Sequence, residues 1–154
     1  MDQRLKGFSL IEMLFAGAIF AVFAWGVVEV LLTGLELNRL GEETTQAKAY
    51  ASAGIEAVRS IKAKSFDALA TIEATGVERQ DGEWVFAGTE NVSGKFTRAV
   101  AVSEVARDGD GLIVEQDGDP DSDTKKITVT VTWDFSPLRS NSVVLDTYLT
   151  KWQD

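Results

Sequence analysis

The chain has 154 residues and a formal net charge of −9, with 45% hydrophobic and 25% charged residues. This composition suits one globular domain of the usual ~100–200 residues and excludes a wholly disordered or collagen-like chain. The sequence contains no His and no Cys, which excludes the catalytic triads and metal sites that need them, and also disulfides. Its excess of acidic over basic residues, 24 against 15, argues against nucleic-acid binding as the main activity.

An apolar segment from Phe8 to Val28 follows a short stretch that carries Arg4 and Lys6. Its 21 residues include one charged residue, Glu12. A helix of this length, at ~1.5 Å per residue, crosses the ~30 Å hydrocarbon core of a bilayer. The preceding basic residues predict a cytoplasmic N-terminus and an external remainder. A secretory signal peptide is the alternative, but the small residues lie inside the run and a helical pattern continues beyond it.

The carboxylate of Glu12 is unusual in such a segment, since an acid in mid-span costs about 2.5–3.5 kcal/mol. One interpretation is that Glu12 lies one turn from the interface and is tolerated there. The other interpretation rests on its neighbours. Residues 6–12, with the sequence KGFSLIE, resemble the processing site of type IV prepilins, which combines a short basic leader, a glycine, an aromatic residue and a glutamate before a long apolar run.

The resemblance to prepilins implies how the N-terminus is processed. In that family a membrane peptidase cuts after the glycine, here Gly7, and the new N-terminal residue, here Phe8, is methylated. The fifth residue after the cut is a glutamate, here Glu12. The resemblance therefore implies a cleaved leader of residues 1–7, a prepilin peptidase and methylase as a partner, and pairing between the Phe8 amine and the Glu12 carboxylate of neighbouring subunits. The sequence alone shows only that both charges are available.

One long helix is predicted from about Ser9 to Lys64, because no proline occurs before Pro120. Beyond Leu40 this helix becomes amphipathic, with apolar residues at three- and four-residue spacings. These residues are Ala47, Ala51, Ile55, Val58 and Ile61. We therefore divide the mature chain into a transmembrane and polymerisation half-helix, residues 8–40, and a head, residues 41–154, whose core includes the second half of the helix.

The C-terminal half of the sequence predicts a small antiparallel sheet. Alternation is strict in one segment, where Ile127, Val129, Val131 and Trp133 share a face and threonines occupy the other. Three or four such strands need a cover, which the amphipathic half-helix supplies. The predicted strands are Glu83–Ala87, Lys95–Ser103, Ile127–Asp134 and Ser142–Lys151.

The predicted fold class is therefore α+β: a long N-terminal helix packed on a small antiparallel sheet. The resemblance to pilins implies the same architecture for the head. The late segments KKITVTVTW and LDTYLTKW also look like minor pilins of the PilV type. Between the helix and the first strand, a helical turn is predicted at residues 65–69, with Ser65 as its cap. The alternative there is a loop from which Phe66 and Leu69 plug the core.

An acidic loop is predicted before the third strand, with carboxylates at alternate positions. These are Asp117, Asp119, Asp121 and Asp123. The spacing is similar to the opening of an EF-hand loop and predicts a candidate Ca²⁺ site. The pattern then departs from an EF-hand, because Pro120 interrupts it and no glutamate closes it. A solvated turn remains the alternative, whereas some secretion pseudopilins do hold calcium near their C-terminal strands. No other cofactor is expected.

The resemblance implies a structural subunit, closest to a minor pilin, of a type IV pilus or related extracytoplasmic filament. The precursor would lie in the bacterial inner membrane with its head outside, and the mature form in an extracellular, adhesive filament among other pilin subunits. A pseudopilin of a type II secretion or DNA-uptake system is the first alternative. A membrane-anchored binding domain that never polymerises is the second, although an anchor has no need of a processing site. No enzymatic activity and no direct nucleic-acid binding are expected.

Overall fold

The computed structural model describes residues 9–114 and 118–151. The chain divides into two units, Met1–Glu42 and Glu43–Asp154, each of which is considered by itself below. A single α-helix, α1, extends from Leu10 to Lys64 and contributes residues to both units. The predicted helix is confirmed and begins one residue later than expected. Without a proline in these 55 residues, every turn can keep its backbone hydrogen bonds.

In the second unit, α1 buries the face that the apolar spacing predicted. Ala47, Ala51 and Val58 are fully buried, and Ile61 is 5% exposed. Ile55 is half-buried and packs against the same core. The helix therefore covers the sheet with mostly small side chains, which allows a close approach. At Gly54, an added Cβ would lie only 3.1 Å from Cγ1 of Val129.

A short 3-10 helix, Phe66–Ala68, follows α1 and confirms the predicted helical turn. Ser65 occupies the predicted N-cap position with an extended backbone, but its side chain makes no capping hydrogen bond. The backbone amide of Leu69 instead donates to the carbonyl oxygen of Phe66 at 2.9 Å. The side chain of Leu69 is 1% exposed, so this turn delivers one apolar residue into the core.

The second unit contains an antiparallel sheet with the strand order β2-β1-β4-β6-β7, to which β3 and β5 add by pairing with β4. The predicted α+β class is confirmed, but the described part of the chain forms seven strands rather than three or four. The bounds are β1 Ile72–Gln80, β2 Glu83–Ala87, β3 Asn91–Ser93, β4 Phe96–Arg107, β5 Ile113–Val114, β6 Asp119–Ser136 and β7 Arg139–Thr150.

The interior strand β6 confirms the predicted inward face. Ile127, Val129 and Val131 are fully buried and Trp133 is 3% exposed. Strand β6 pairs with β4 on one side and with β7 on the other, so it is an interior strand of the sheet. These side chains meet the small residues of α1 in a single core. The core of the head therefore lies between one helix face and one sheet face.

Candidate functional site

The N-terminal part of α1 is an apolar helix whose side chains are exposed. An 18-residue window of this helix has a mean hydropathy of 2.2, and none of that window is buried. The exposed fractions reach 80% at Leu10, 71% at Phe20 and 75% at Trp25. By length and composition this helix can cross a membrane. Such a helix is compatible with membrane anchoring of the chain.

Glu12 lies in the first turn of this helix. Its Oε2 accepts a hydrogen bond from the backbone amide of Ser9 at 3.3 Å, and its own amide donates to the Ser9 carbonyl at 3.0 Å. A carboxylate at a helix N-terminus interacts favourably with the helix dipole, which lowers the cost of the charge there. Gly7 and Phe8 lie outside the described residues. The predicted cut and the pairing of the Phe8 amine with Glu12 therefore stay predictions.

The acidic segment is a strand where the sequence predicted a loop. Strand β6 begins at Asp119, eight residues before the predicted Ile127, and pairs with the end of β4 through Arg107 opposite Asp119 and Val105 opposite Asp121. A register shift after Glu104 separates this short ladder from the main one. The prediction of a loop at residues 119–123 was therefore wrong, while Asp117 lies outside the described residues.

Arg107 explains why carboxylates are tolerated in this strand. Its Nε donates to Oδ2 of Asp121 at 2.6 Å, its Nη1 donates to the carbonyl oxygen of Gly111 at 2.8 Å, and its Nη2 donates to Oγ1 of Thr124 at 3.2 Å. The hydrogen bond from Arg107, followed by that from Thr124, holds the pKa of Asp121 below its ordinary value. One of the predicted calcium ligands thus already has a cationic partner.

Within residues 9–114 and 118–151, no group of three or more acidic side chains is arranged to hold a metal ion. Asp119, Asp121 and Asp123 alternate along β6, and the Asp123 amide donates to Oδ1 of Asp121 at 2.9 Å. Since Asp117 is outside that part of the chain, the predicted site of four carboxylates stays a prediction.

Thermal unfolding of the full chain in detergent tests the calcium site. If the acidic segment binds Ca²⁺, millimolar calcium should raise the melting temperature of the head above its value in chelator. A ligand at a hundredfold excess over its dissociation constant stabilises the folded state by about 2.7 kcal/mol. The rise should disappear in the double variant Asp119→Asn and Asp123→Asn, which leaves the ion pair of Asp121 with Arg107 intact. Equal melting in calcium and magnesium would contradict the prediction.

A buried carboxylate, Glu43, lies where the chain enters the head. Glu43 is 6% exposed, and its Oε2 accepts a hydrogen bond from Nε1 of Trp133 at 3.0 Å. Its Oε1 forms an ion pair with Nζ of Lys95. Because an unpaired buried charge is costly, these two partners are what allow Glu43 to lie at the helix–sheet contact.

A buried cation, Arg98, lies further along the same contact. It is 5% exposed, and its Nη1 donates to the carbonyl oxygen of Tyr50 at 3.1 Å, while its Nη2 donates to Oδ1 of Asn91 at 2.9 Å. The guanidinium carbon is 4.2 Å from the centroid of the Tyr50 ring. Burial lowers the pKa of Arg98 from its ordinary value. These contacts attach α1 to β3 and β4.

The sequence analysis missed both buried charges, although the sequence held a signal for each. Glu43 precedes Ala47 and Ala51 at four-residue spacing, so it falls on the buried face of α1. Arg98 alternates with Val100 and Val102, so it falls on the buried face of β4. A charged residue at a position of apolar periodicity indicates a buried polar contact, but not its partner.

Comparison with protein-family models, curated proteins and solved structures finds no match to this chain.

Proposed function

We propose that this protein is a structural subunit, closest in kind to a minor pilin, of a type IV pilus or related extracytoplasmic filament. Its precursor is held in the bacterial inner membrane by the apolar part of α1, with the head outside. A prepilin peptidase and methylase processes it at Gly7 and Phe8, and it then assembles with other pilin subunits through the same helix. The observation that supports this proposal is the prepilin-like segment 6–12 directly before an exposed apolar helix.

The exposed apolar surface of α1 supports both steps of the proposal. Monomeric soluble proteins rarely expose contiguous apolar patches larger than a few hundred Å². In a bilayer this surface contacts lipid, and the helix satisfies its own backbone groups. In a filament the neighbouring helices of other subunits replace the lipid. Exchanging one apolar environment for another changes the hydrophobic free energy little, so a subunit can leave the membrane and enter a filament.

A charge pair made by Glu12 would favour the filament over the membrane, because charges interact more strongly where water is excluded. The amine that cleavage creates on Phe8 would be the matching cation in the adjacent subunit. Helices that pack through apolar side chains alone could slide along one another, whereas a single charge pair fixes one stagger. The architecture of the head is consistent with this proposal and with the alternative, a pseudopilin of a type II secretion or DNA-uptake system, which calcium binding by the acidic segment would favour.

N-terminal mass spectrometry of protein recovered from sheared surface filaments tests the proposal. We expect the chain to begin with methylated Phe8. We expect a Gly7→Val variant to accumulate as uncut precursor in the inner membrane, because a side chain at Gly7 blocks the close approach of the peptidase to the backbone. Gly17→Val is the matched control, since an added Cβ at Gly17 meets nothing within 4 Å. Full-length chains in filaments, or a normal Phe8 N-terminus in Gly7→Val, would contradict the proposal.

Replacing Glu12 by Ala should separate insertion from assembly. We expect insertion to be unchanged or improved, because a charge leaves the apolar helix. Incorporation into filaments should fall at least about tenfold, which corresponds to about 1.4 kcal/mol. The measurement is the ratio of filament to membrane protein, and Glu29→Ala in the same helix is the control. Equal incorporation of Glu12→Ala and the parent would show that this charge does not set the stagger.

A further inference from the structure

The last strand of the sheet, β7, has a free edge. It pairs with β6 on one side, and in the part of the chain that the structure describes no strand pairs with its other side. Edge strands are usually protected from other chains by shortness, lysine, proline or a bulge. The 12 residues of β7 include no lysine and no proline, and their register with β6 is unbroken from Ser140 to Thr150. Strand β7 is therefore open to a further strand.

One hydrogen bond at the end of β7 shows which backbone groups lie at this edge. The amide of Lys151 donates to the carbonyl oxygen of Asp123 at 2.7 Å, so residue 151 directs its backbone groups toward β6. In an antiparallel ladder, residues that bond to a given neighbour alternate with residues that do not. The even-numbered residues of β7 therefore direct their N–H and C=O groups to the free edge. They are Ser140, Ser142, Val144, Asp146, Tyr148 and Thr150.

A cationic groove borders this edge where β7 ends. It has a volume of about 530 Å³ and lies between the last turns of α1 and residues 148–151. Of the described residues that line it, Arg59, Lys62 and Lys151 are cations and none is acidic. Arg59 forms an ion pair with Glu56, but both side chains are more than half exposed, so this pair contributes little and can be exchanged. In a chain with a net charge of −9, such a groove favours an anionic partner.

The edge and the groove together define the side-chain pattern of a strand that would fit them. Odd-numbered side chains of β7 turn toward α1, as the 7% exposure of Leu149 shows, whereas Val144 and Tyr148 are 53% and 45% exposed on the other face. Side chains directly opposite each other in a ladder share a face. Carboxylates on the α1 side of an added strand would therefore meet Arg59 and Lys62. Apolar residues on its other side would lie beside Val144 and Tyr148.

We propose that the free edge of β7 binds an extended acidic segment of another protein, which adds to the sheet as a further strand and places its carboxylates in the cationic groove. The partner is extended because the edge offers backbone groups in a ladder, and it is acidic because the groove is cationic. In such strand addition, main-chain hydrogen bonds give affinity and alternate side chains give specificity. The inference goes beyond the proposed function, since it needs neither processing at Gly7 nor a filament.

Binding of a short labelled peptide to the full chain in detergent, measured by fluorescence anisotropy, tests this inference. The probe alternates glutamate with valine and is capped at both ends. In the first control peptide, lysine replaces glutamate, which reverses the charge. In the second, the valine amides are N-methylated, so the carboxylates remain while the hydrogen bonds with β7 are lost. We expect the glutamate peptide to bind at least about tenfold more tightly than either control.

Two variants of the chain test the groove and the edge separately. The double variant Arg59→Glu and Lys151→Glu should prefer the lysine peptide, because it reverses the charge of the groove. Val144→Pro should weaken binding of the glutamate peptide at least about tenfold. The amide of Val144 points away from β6, so proline there should keep the β6–β7 ladder and the midpoint of urea unfolding. Val144→Ala is the matched control and should bind like the parent.

Three results would overturn the inference. Equal binding of the glutamate peptide and its N-methylated form would mean that charge alone holds the peptide and that the edge of β7 is not used. The absence of saturable binding of the glutamate peptide would mean that the edge and groove do not accept such a strand. A chain that sediments as a dimer in detergent, and as a monomer when it carries Val144→Pro, would assign the edge to a second copy of this chain.

Discussion

Replacing Val131 with Asp is expected to abolish the cooperative unfolding of the head. Val131 is fully buried at the middle of β6, between its partners on β4 and β7. Its cross-strand partner on β4 is Arg98, whose Nη1 and Nη2 already donate to Tyr50 and Asn91. A carboxylate at residue 131 would either draw Arg98 away from these contacts or stay unpaired in the core, and both outcomes cost stability. Losses above about 4–5 kcal/mol are exceptional for one substitution, and the total stability of a domain is about 5–15 kcal/mol. The measurement is urea unfolding of the full chain in detergent, followed by tryptophan fluorescence.

The matched control for this substitution is Thr132→Asp. Thr132 is the next residue of the same strand and points to the exposed face, so the added charge stays in water. Its effect should stay within about ±0.5 kcal/mol, as is usual for surface substitutions. Similar unfolding of Val131→Asp and the parent would show that the buried face of β6 is wrongly assigned.

Replacing Gly76 with Ala is expected to cost the head about 3 kcal/mol, in the range of overpacking and backbone displacement. An added Cβ would lie 2.6 Å from the carbonyl oxygen of Ala87, a backbone atom of the paired strand β2, and 2.9 Å from Nδ2 of Asn91. Moving Asn91 would break the hydrogen bonds that its Oδ1 accepts from the Val77 amide, at 2.8 Å, and from Arg98, at 2.9 Å.

A change of glycine to alanine at Gly109 provides the comparison for Gly76. An added Cβ at Gly109 meets nothing within 4 Å, so the substitution should leave stability nearly unchanged. The midpoints of urea unfolding of the two variants measure the difference. Equal midpoints would mean that β1 and β2 separate enough to admit a methyl group without loss of the Asn91 contacts.

Periodic patterns predicted the helix, its buried face and the inward face of β6, because burial on one side imposes a regular spacing of apolar residues. Strand β1 was missed because its buried residues show no regular spacing. Thr75, Gly76 and Val77 are buried in succession, so no alternation marks the strand. The available signal was the turn Asp81-Gly82, whose residues have φ of 54° and 85°. Such a pair is typical of a two-residue hairpin turn and predicts strands on both sides of it.

The acidic start of β6 was unpredictable because distant residues impose it. Aspartate and proline disfavour strands, and the segment is extended because it pairs with β4 and because Arg107 holds Asp121. The partners of the buried charges could not be predicted for the same reason. Glu43 and Trp133 are 90 residues apart in the chain, and Tyr50 and Arg98 are 48 apart. Glu12 could be singled out from sequence because its signal is local, within residues 6–12.

Two polar contacts between α1 and the sheet also fix the rotational position of the helix about its own axis. Glu43 and Tyr50 lie seven residues, about two turns, apart and thus on one side of the helix. Each is tied to a different strand, through Trp133 on β6 and Arg98 on β4. Rotating the helix about its own axis would break both contacts together. They therefore fix the rotational position of segment 43–64 against the sheet.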